Sequence, residues 1–263
     1  MKNEQPKSFI AVDIGNTTIN FALFHAASDQ QLPAAASHIA LDTAEPQFDL
    51  LEQWLSDLEI SSSLNWYVIS VNQPGLQRLQ DWHPAAANFH GLSCEHFPLS
   101  IAVSSPEKVG LDRIAAAVGA NCLRAKHHAA IIVDAGSAVT IDAVNAEGQF
   151  IGGAILPGLK MLAKSLSGQT DLLPLIQIDP AQPPEVVGKD TAAAIRSGCY
   201  WGSVGAIQNL VKRMEDQFSE EVDLFISGGD ASKIAAQENR SMQTVPHLVL
   251  SGIAVAVESL SKS

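Results

Sequence analysis

Cysteine and aromatic residues are scarce in this chain, and positive charge is scarcer than negative. Only three cysteines, Cys94, Cys122 and Cys199, occur in 263 residues. They are far apart, odd in number and without Cys-x-x-Cys or Cys/His ligand spacing, which argues against a disulfide framework or a structural zinc site. The eight histidines likewise show no mutual spacing for a metal and read as structural or surface residues. Sixteen Lys and Arg stand against 28 Asp and Glu, a formal net charge of −12. Such a balance carries no broad footprint for nucleic acid or an anionic membrane surface. Long hydrophobic runs are also missing. The longest apolar stretch, Val249 to Val257, is interrupted by Ser251 and Gly252 and is too short to span a bilayer. The polar start, Met1 to Lys7, has no secretory pattern, so a reducing, cytoplasmic setting is expected.

What is abundant is apolar surface: 46% of residues are apolar and 17% charged, enough for a large core. The length suits one large domain or two of roughly 120 to 150 residues. Strand patterns at Phe9–Ile14, Thr18–Phe24, Ser37–Leu41 and Trp66–Val71 alternate with helix patterns at Asp49–Leu58 and Gly75–Trp82. Ile101–Lys108 reads as a loop before a helix at Asp112–Arg124. The scheme then repeats. Strands are expected at Ile131–Asp134, Val139–Val144 and Gln149–Ala154, followed by a helix reaching about Leu166 and a long helix from Thr191 to about Phe218. A strand at Val222–Ile226, a turn, a helix and a last helix from about Leu248 complete the chain. Gly198, Gly202 and Gly205 share one face of the long helix, which suggests close approach of another backbone. The domains expected are 1–124 and 125–263.

Two short segments carry the strongest signal. Phe9-Ile10-Ala11-Val12 runs into Asp13-Ile14-Gly15-Asn16-Thr17-Thr18, and Ile131-Ile132-Val133 runs into Asp134-Ala135-Gly136-Ser137-Ala138-Val139-Thr140. Each reads as an apolar strand ending in Asp, a Gly-centred turn with hydroxyl or amide side chains, and a second strand. Glycine lets backbone N–H groups approach a phosphate closely. A carboxylate beside phosphate is useful when a cation lies between them. The two aspartates lie a little under half a chain length apart, which suggests duplication. A third segment, Gly110-Leu111-Asp112-Arg113, combines a base with an anion clamp at a helix start. Gly152–Gly158, Gly188–Thr191 and Ser227–Asp230 are further glycine turns. The free N–H groups at the start of the long helix favour an anion or an oxygen acceptor. The turn after Ser227 would let a flat ring lie on the backbone. Neither a Gly-x-x-x-x-Gly-Lys-Ser/Thr loop nor a protein-kinase Gly-rich loop is present, which excludes those nucleotide folds.

In order and spacing, Asp13–Thr18, Gly110–Arg113, Asp134–Thr140, Gly152–Gly158, Gly188–Gly198 and Ser227–Asp230 resemble the type III pantothenate kinases. The resemblance runs from about residue 9 to residue 257. It implies an α/β fold of two actin-like (ribonuclease H-like) domains related by duplication, with the nucleotide cleft between them, working as a homodimer. The implied reaction moves the γ-phosphoryl group of ATP to pantothenate, the first step towards coenzyme A. It implies Mg²⁺ with ATP and a monovalent cation, K⁺ or NH₄⁺. Carried over by position, Asp13, Ile14, Gly15, Asn16, Thr17, Thr18, Ile19 and Asn20 would form the ATP phosphate loop, with Ser137 also on ATP. Asp112 would be the base, Val103, Gly110, Leu111 and Arg113 would hold pantothenate, and Asp134 would ligate the monovalent cation. Thr191 would reach pantothenate across the dimer interface. Val103 stands where the family has Tyr, three residues ahead of Pro106, which removes a hydroxyl and an aromatic wall from the pocket. Two alternatives stay open at this point: a kinase for another hydroxylated acid, and a regulatory accessory protein of the same fold.

Overall fold

The computed structural model describes residues 8–25, 31–58, 64–83, 88–231, 234, 236–237 and 240–261. In the first half these form β1 (Ser8–Ile14), β2 (Thr18–His25), β3 (Ser37–Asp42), α1 (Phe48–Asp57), β4 (Asn65–Ser70), α2 (Gln73–Trp82), β5 (Phe89–Gly91), β6 (Ser100–Ile101) and α3 (Leu111–Leu123). The second half contributes β7 (Ala129–Ala135), β8 (Ala138–Val144), β9 (Gln149–Pro157), α4 (Leu159–Gly168), α5 (Thr191–Glu215), β10 (Val222–Ser227) and β11 (Gln243–Thr244). The chain ends in α6 (Leu248–Leu260). The helix expected after Asp230 falls largely outside the described residues.

Two compact units result. The second runs from Arg124 to Pro246, and the first takes everything before it and everything from His247 onward. The expected C-terminal domain of 125–263 therefore fails for its last segment. The reason is packing: α6 is apolar around its whole circumference and buries Leu248–Ala254, Ala256 and Val257, so it needs a partner on every side. It finds one in α3, whose Ile114–Ala120 are also buried. A Cβ at Gly252 would fall 1.8 Å from the Ala115 carbonyl oxygen, and one at Gly119 would fall 2.5 Å from Leu248 Cδ1. Glycine alone permits this approach.

The first unit's strands lie in the order β3-β2-β1-β4-β5, and within the second unit the order is β11-β10-β7-β8-β9. β1 and β2 are antiparallel, as are β2 and β3, while β4 runs parallel to β1 and β5 parallel to β4. The same senses recur for β7 with β8, β8 with β9, β10 with β7, and β11 with β10. Strand for strand, the second unit repeats the first. Ile10, Val12 and Ile14 face a core closed by Leu51 of α1 and Leu79 of α2. Alternation turns Phe9 and Ala11, also buried, towards the opposite face. In the second unit Ile131, Val133, Ile141, Leu224 and Ile226 pack on Ile207 and Val211 of α5.

Among the described residues, a Cβ at Gly198, Gly202 or Gly205 would meet nothing within 4 Å, so the close approach expected at this face is not made there within the chain. Gly198 and Gly202 instead line an apolar cavity of about 530 Å³ with Leu156, Leu162, Ile195 and Ile207.

Candidate active site

Asp13 is the penultimate residue of β1, half-buried, paired in register with Asn20 on β2 and with Ile69 on parallel β4. β1 and β4 both end here, and the carboxyl ends of parallel strands are where open α/β sheets take ligands. The Gly15 N–H donates to the Thr18 carbonyl at 2.9 Å and closes the turn, which leaves Asn16, Thr17 and Thr18 exposed. Asn20 is half-buried and its Nδ2 lies 3.5 Å from Thr18 Oγ1. Ile14 and Ile19 are fully buried, so of the eight residues in this segment these two can offer a ligand only backbone groups.

Two residues outside the sequence motifs touch the turn. Thr43, buried just after β3, donates from Oγ1 to the Gly15 carbonyl and from its N–H to the Thr17 carbonyl, both at 2.9 Å. Asn72 donates from Nδ2 to Asn16 Oδ1 at 3.2 Å and accepts the Gly75 N–H on Oδ1 at 2.7 Å. The second bond makes Asn72 the N-cap of α2, with Pro74 in the first turn. That cap was legible as Asn before a Pro-containing helix start; its contact with Asn16 was not.

Asp112 occupies the first turn of α3, where the positive end of the helix dipole favours a carboxylate. Its Oδ1 accepts the Arg113 N–H at 2.9 Å and lies over Gly110, where a Cβ would fall 2.4 Å from it. The same Cβ would lie 3.8 Å from Val71, whose N–H bonds the Ile14 carbonyl at 3.0 Å. The first unit thus brings Asp112 to the end of the sheet that carries the Asp13 turn. Leu111, Arg113 and Val103 are half-buried beside it in sequence.

In the second unit Asp134 is the counterpart of Asp13, paired with Thr140 on β8 and Ser227 on β10. The turn is tighter, with the Gly136 N–H on the Ala138 carbonyl at 3.0 Å and Ser137 exposed. Gly158 packs on it: a Cβ there would lie 2.4 Å from the Ser137 carbonyl oxygen. Gly228, at φ +96°, packs on Asp134 and Ala135, where a Cβ would fall 2.5 Å from Asp134 Oδ1. The turn at Ser227–Asp230 therefore belongs beside Asp134, with Gly229 open to its surroundings. Thr191 opens α5 and lines the apolar cavity. The N–H groups expected to await a ligand there are partly taken, since Asp190 Oδ1 accepts the Ala193 N–H at 2.7 Å as the helix cap.

Among the described residues no group of three or more His, Cys, Asp or Glu side chains could form a metal cage. A single carboxylate beside a phosphate turn suits Mg²⁺, which is usually held by one or two carboxylates plus substrate phosphates. Gly228 packs so closely on Asp134 Oδ1 that only a residue without a Cβ fits there.

A model of the type III pantothenate kinase family matches residues 9–213. A type III pantothenate kinase of Herminiimonas arsenicoxydans is 33% identical over 261 residues, covering 95% of this chain and 98% of that protein. One from Dehalococcoides mccartyi is 30% identical over 260 residues, covering 96% of each. Among solved structures, the activator of the 2-hydroxyisocaproyl-CoA dehydratase from Clostridium difficile, with bound ADPNP, matches with a TM-score of 0.55 at 13% identity. The match covers 97% of this chain and 98% of that one. At that identity the likeness speaks for the fold alone, which is the duplicated actin-like α/β architecture. Family model, full-length relatives and repeated topology agree, and this chain belongs to the type III pantothenate kinase family.

Proposed function

We propose that this protein phosphorylates pantothenate with ATP to give 4′-phosphopantothenate and ADP, the entry step to coenzyme A. The match to the family model over residues 9–213 carries this reading. In the reaction the primary hydroxyl oxygen of pantothenate forms a bond to the γ-phosphorus, and the bond from that phosphorus to the β,γ-bridging oxygen breaks. The hydroxyl proton passes to Asp112, and ADP leaves with the bridging oxygen. Phosphoryl transfer of this kind depends on alignment and charge stabilisation more than on covalent help, so one positioned base suffices.

The remaining residues bind and orient. Asn16, Thr17, Thr18 and the turn's N–H groups receive the phosphates, with Asp13 beside them for Mg²⁺; Ser137 contacts ATP. Asp134 would hold a monovalent cation, K⁺ or NH₄⁺, which when bound supplies positive charge to the phosphates. Gly110, Leu111 and Arg113 hold pantothenate, and Val103 leaves that pocket wider and without a hydroxyl. Thr191 reaches pantothenate from a second copy. Exposed apolar side chains in the second unit support a homodimer: Leu172 is 91% and Val187 76% exposed. The chain is read as cytoplasmic, and no helix among the described residues is long and apolar enough to cross a membrane.

ADP release measured with ATP, Mg²⁺ and K⁺, with and without pantothenate, tests the reading. Pantothenate should stimulate release; indifference to it, with stimulation by another hydroxylated acid, would reassign the acceptor. Asp112→Asn should leave ATP affinity unchanged and lower kcat by about 10²–10⁴-fold. Equal turnover in the two proteins would remove Asp112 from the base role.

A further inference from the structure

Asn16 is exposed in the Gly15–Thr18 turn and its carboxamide has two chemically opposite ends, an acceptor oxygen and a donor NH₂. Only the NH₂ end is useful to a phosphate. What decides which end faces outward is Asn72. Its own carboxamide is pinned, because Oδ1 caps α2 by accepting the Gly75 N–H at 2.7 Å. Ser70 Oγ pins its backbone as well, bonding both the Asn72 carbonyl and the Asn72 N–H at 3.0 Å. With Oδ1 committed to the helix, Nδ2 is the group left to meet Asn16, and it donates to Asn16 Oδ1 at 3.2 Å. Asn16 then has its oxygen engaged, and its NH₂ is the end presented away from Asn72.

We propose that Asn72 is a positioning residue that sets the carboxamide of Asn16 with its NH₂ towards the nucleotide's phosphate oxygens. The inference rests on reading the Gly15–Thr18 turn as the phosphate loop. Thr43 completes the support, since its two bonds hold the Gly15 and Thr17 carbonyls, the residues on either side of Asn16. Gly75 lets the three pieces close up: a Cβ there would fall 2.7 Å from Thr43 Cγ2 and 3.1 Å from Asn72 Oδ1. A helix cap is thereby coupled to the polarity of a ligand-facing amide.

The test separates capping from orientation. Asn72→Asp keeps an acceptor for the Gly75 N–H but has no donor for Asn16, whereas Asn72→Ala loses both. Asn72→Asp should keep the wild-type melting temperature and kcat, yet raise the KM and calorimetric Kd for ATP about tenfold or more. Asn72→Ala should lose both ATP affinity and melting temperature. Asn16→Ala should also weaken ATP, and Asn72→Asp added to Asn16→Ala should cost little more, since the two act as one unit. If Asn72→Asp weakens ATP as strongly in the Asn16→Ala background, its added charge alone is responsible and the proposal is overturned. Equal losses of melting temperature in Asn72→Asp and Asn72→Ala would reduce Asn72 to a structural residue and also overturn it. Wild-type ATP affinity in Asn16→Ala would instead sink the phosphate-loop reading itself.

Discussion

His38 on β3 and His247 at the start of α6 face each other in the first unit with ring centroids 4.0 Å apart. His247 adopts a left-handed backbone, φ 56°, to begin the helix. Burial, and then the neighbouring His247, push His38 down to about 4; burial also lowers His247. In the unfolded chain both rings protonate near 6.5. Between about pH 6.5 and 4 the unfolded chain therefore binds more protons, and stability declines as pH falls through that window. Above it the contribution is fully present. Thermal unfolding across pH 4 to 7 should show this decline, and His38→Leu should flatten it; an unchanged slope would remove His38 as its cause. The histidine pair was not legible in the sequence, where its members stand at opposite ends of the chain. The same holds for Thr43 and Asn72, which lie outside any motif and meet the turn only because β3 and β4 flank β1 and β2. Asp13, Asn16, Asp112 and Asp134 were legible, since strand-turn patterns and a helix start are local signals.

Helices α3 and α6 illustrate the same limit one level up. Each was readable as a helix from its apolar, small-residue composition, but nothing local told that they belong together. Their contact uses glycine in both members. Gly252→Ala would drive a methyl group into the Ala115 carbonyl, and since that is backbone the helices must separate. Overpacking of this kind costs about 1–3 kcal/mol or more. Denaturant unfolding should show that loss as a lowered midpoint for Gly252→Ala. Wild-type stability would mean that the helices are not held this closely. The β1–β2 and β7–β8 hairpins were better forecast, because their turns and alternating strands are specified within a dozen residues. The long α5 was legible as an element too, while two of its three glycines, Gly198 and Gly202, open onto a cavity, which no local signal showed.

At the scale of the molecule, the duplication visible in two aspartates extends to the strand order and strand senses within each of the two units. The exposed Leu172, Leu175, Val186 and Val187 lie together in the stretch before α5, an unusual number of large apolar side chains to leave in water. Light scattering coupled to gel filtration should give twice the 27.9 kDa chain mass at micromolar concentration. Leu172→Glu with Val187→Glu should shift that mass to a single chain and weaken pantothenate before ATP, because Thr191 then loses its partner. A monomeric wild-type protein would remove the dimer from the proposed mechanism. One further consequence concerns synthesis. Because α6 belongs with the first unit, the segment synthesised before Arg124 must wait, its apolar α3 lacking a mate, until His247 and the residues after it have been added. The second unit, emitted in between, can finish first, so a pause or truncation ahead of α6 would endanger the unit whose strands were made before it.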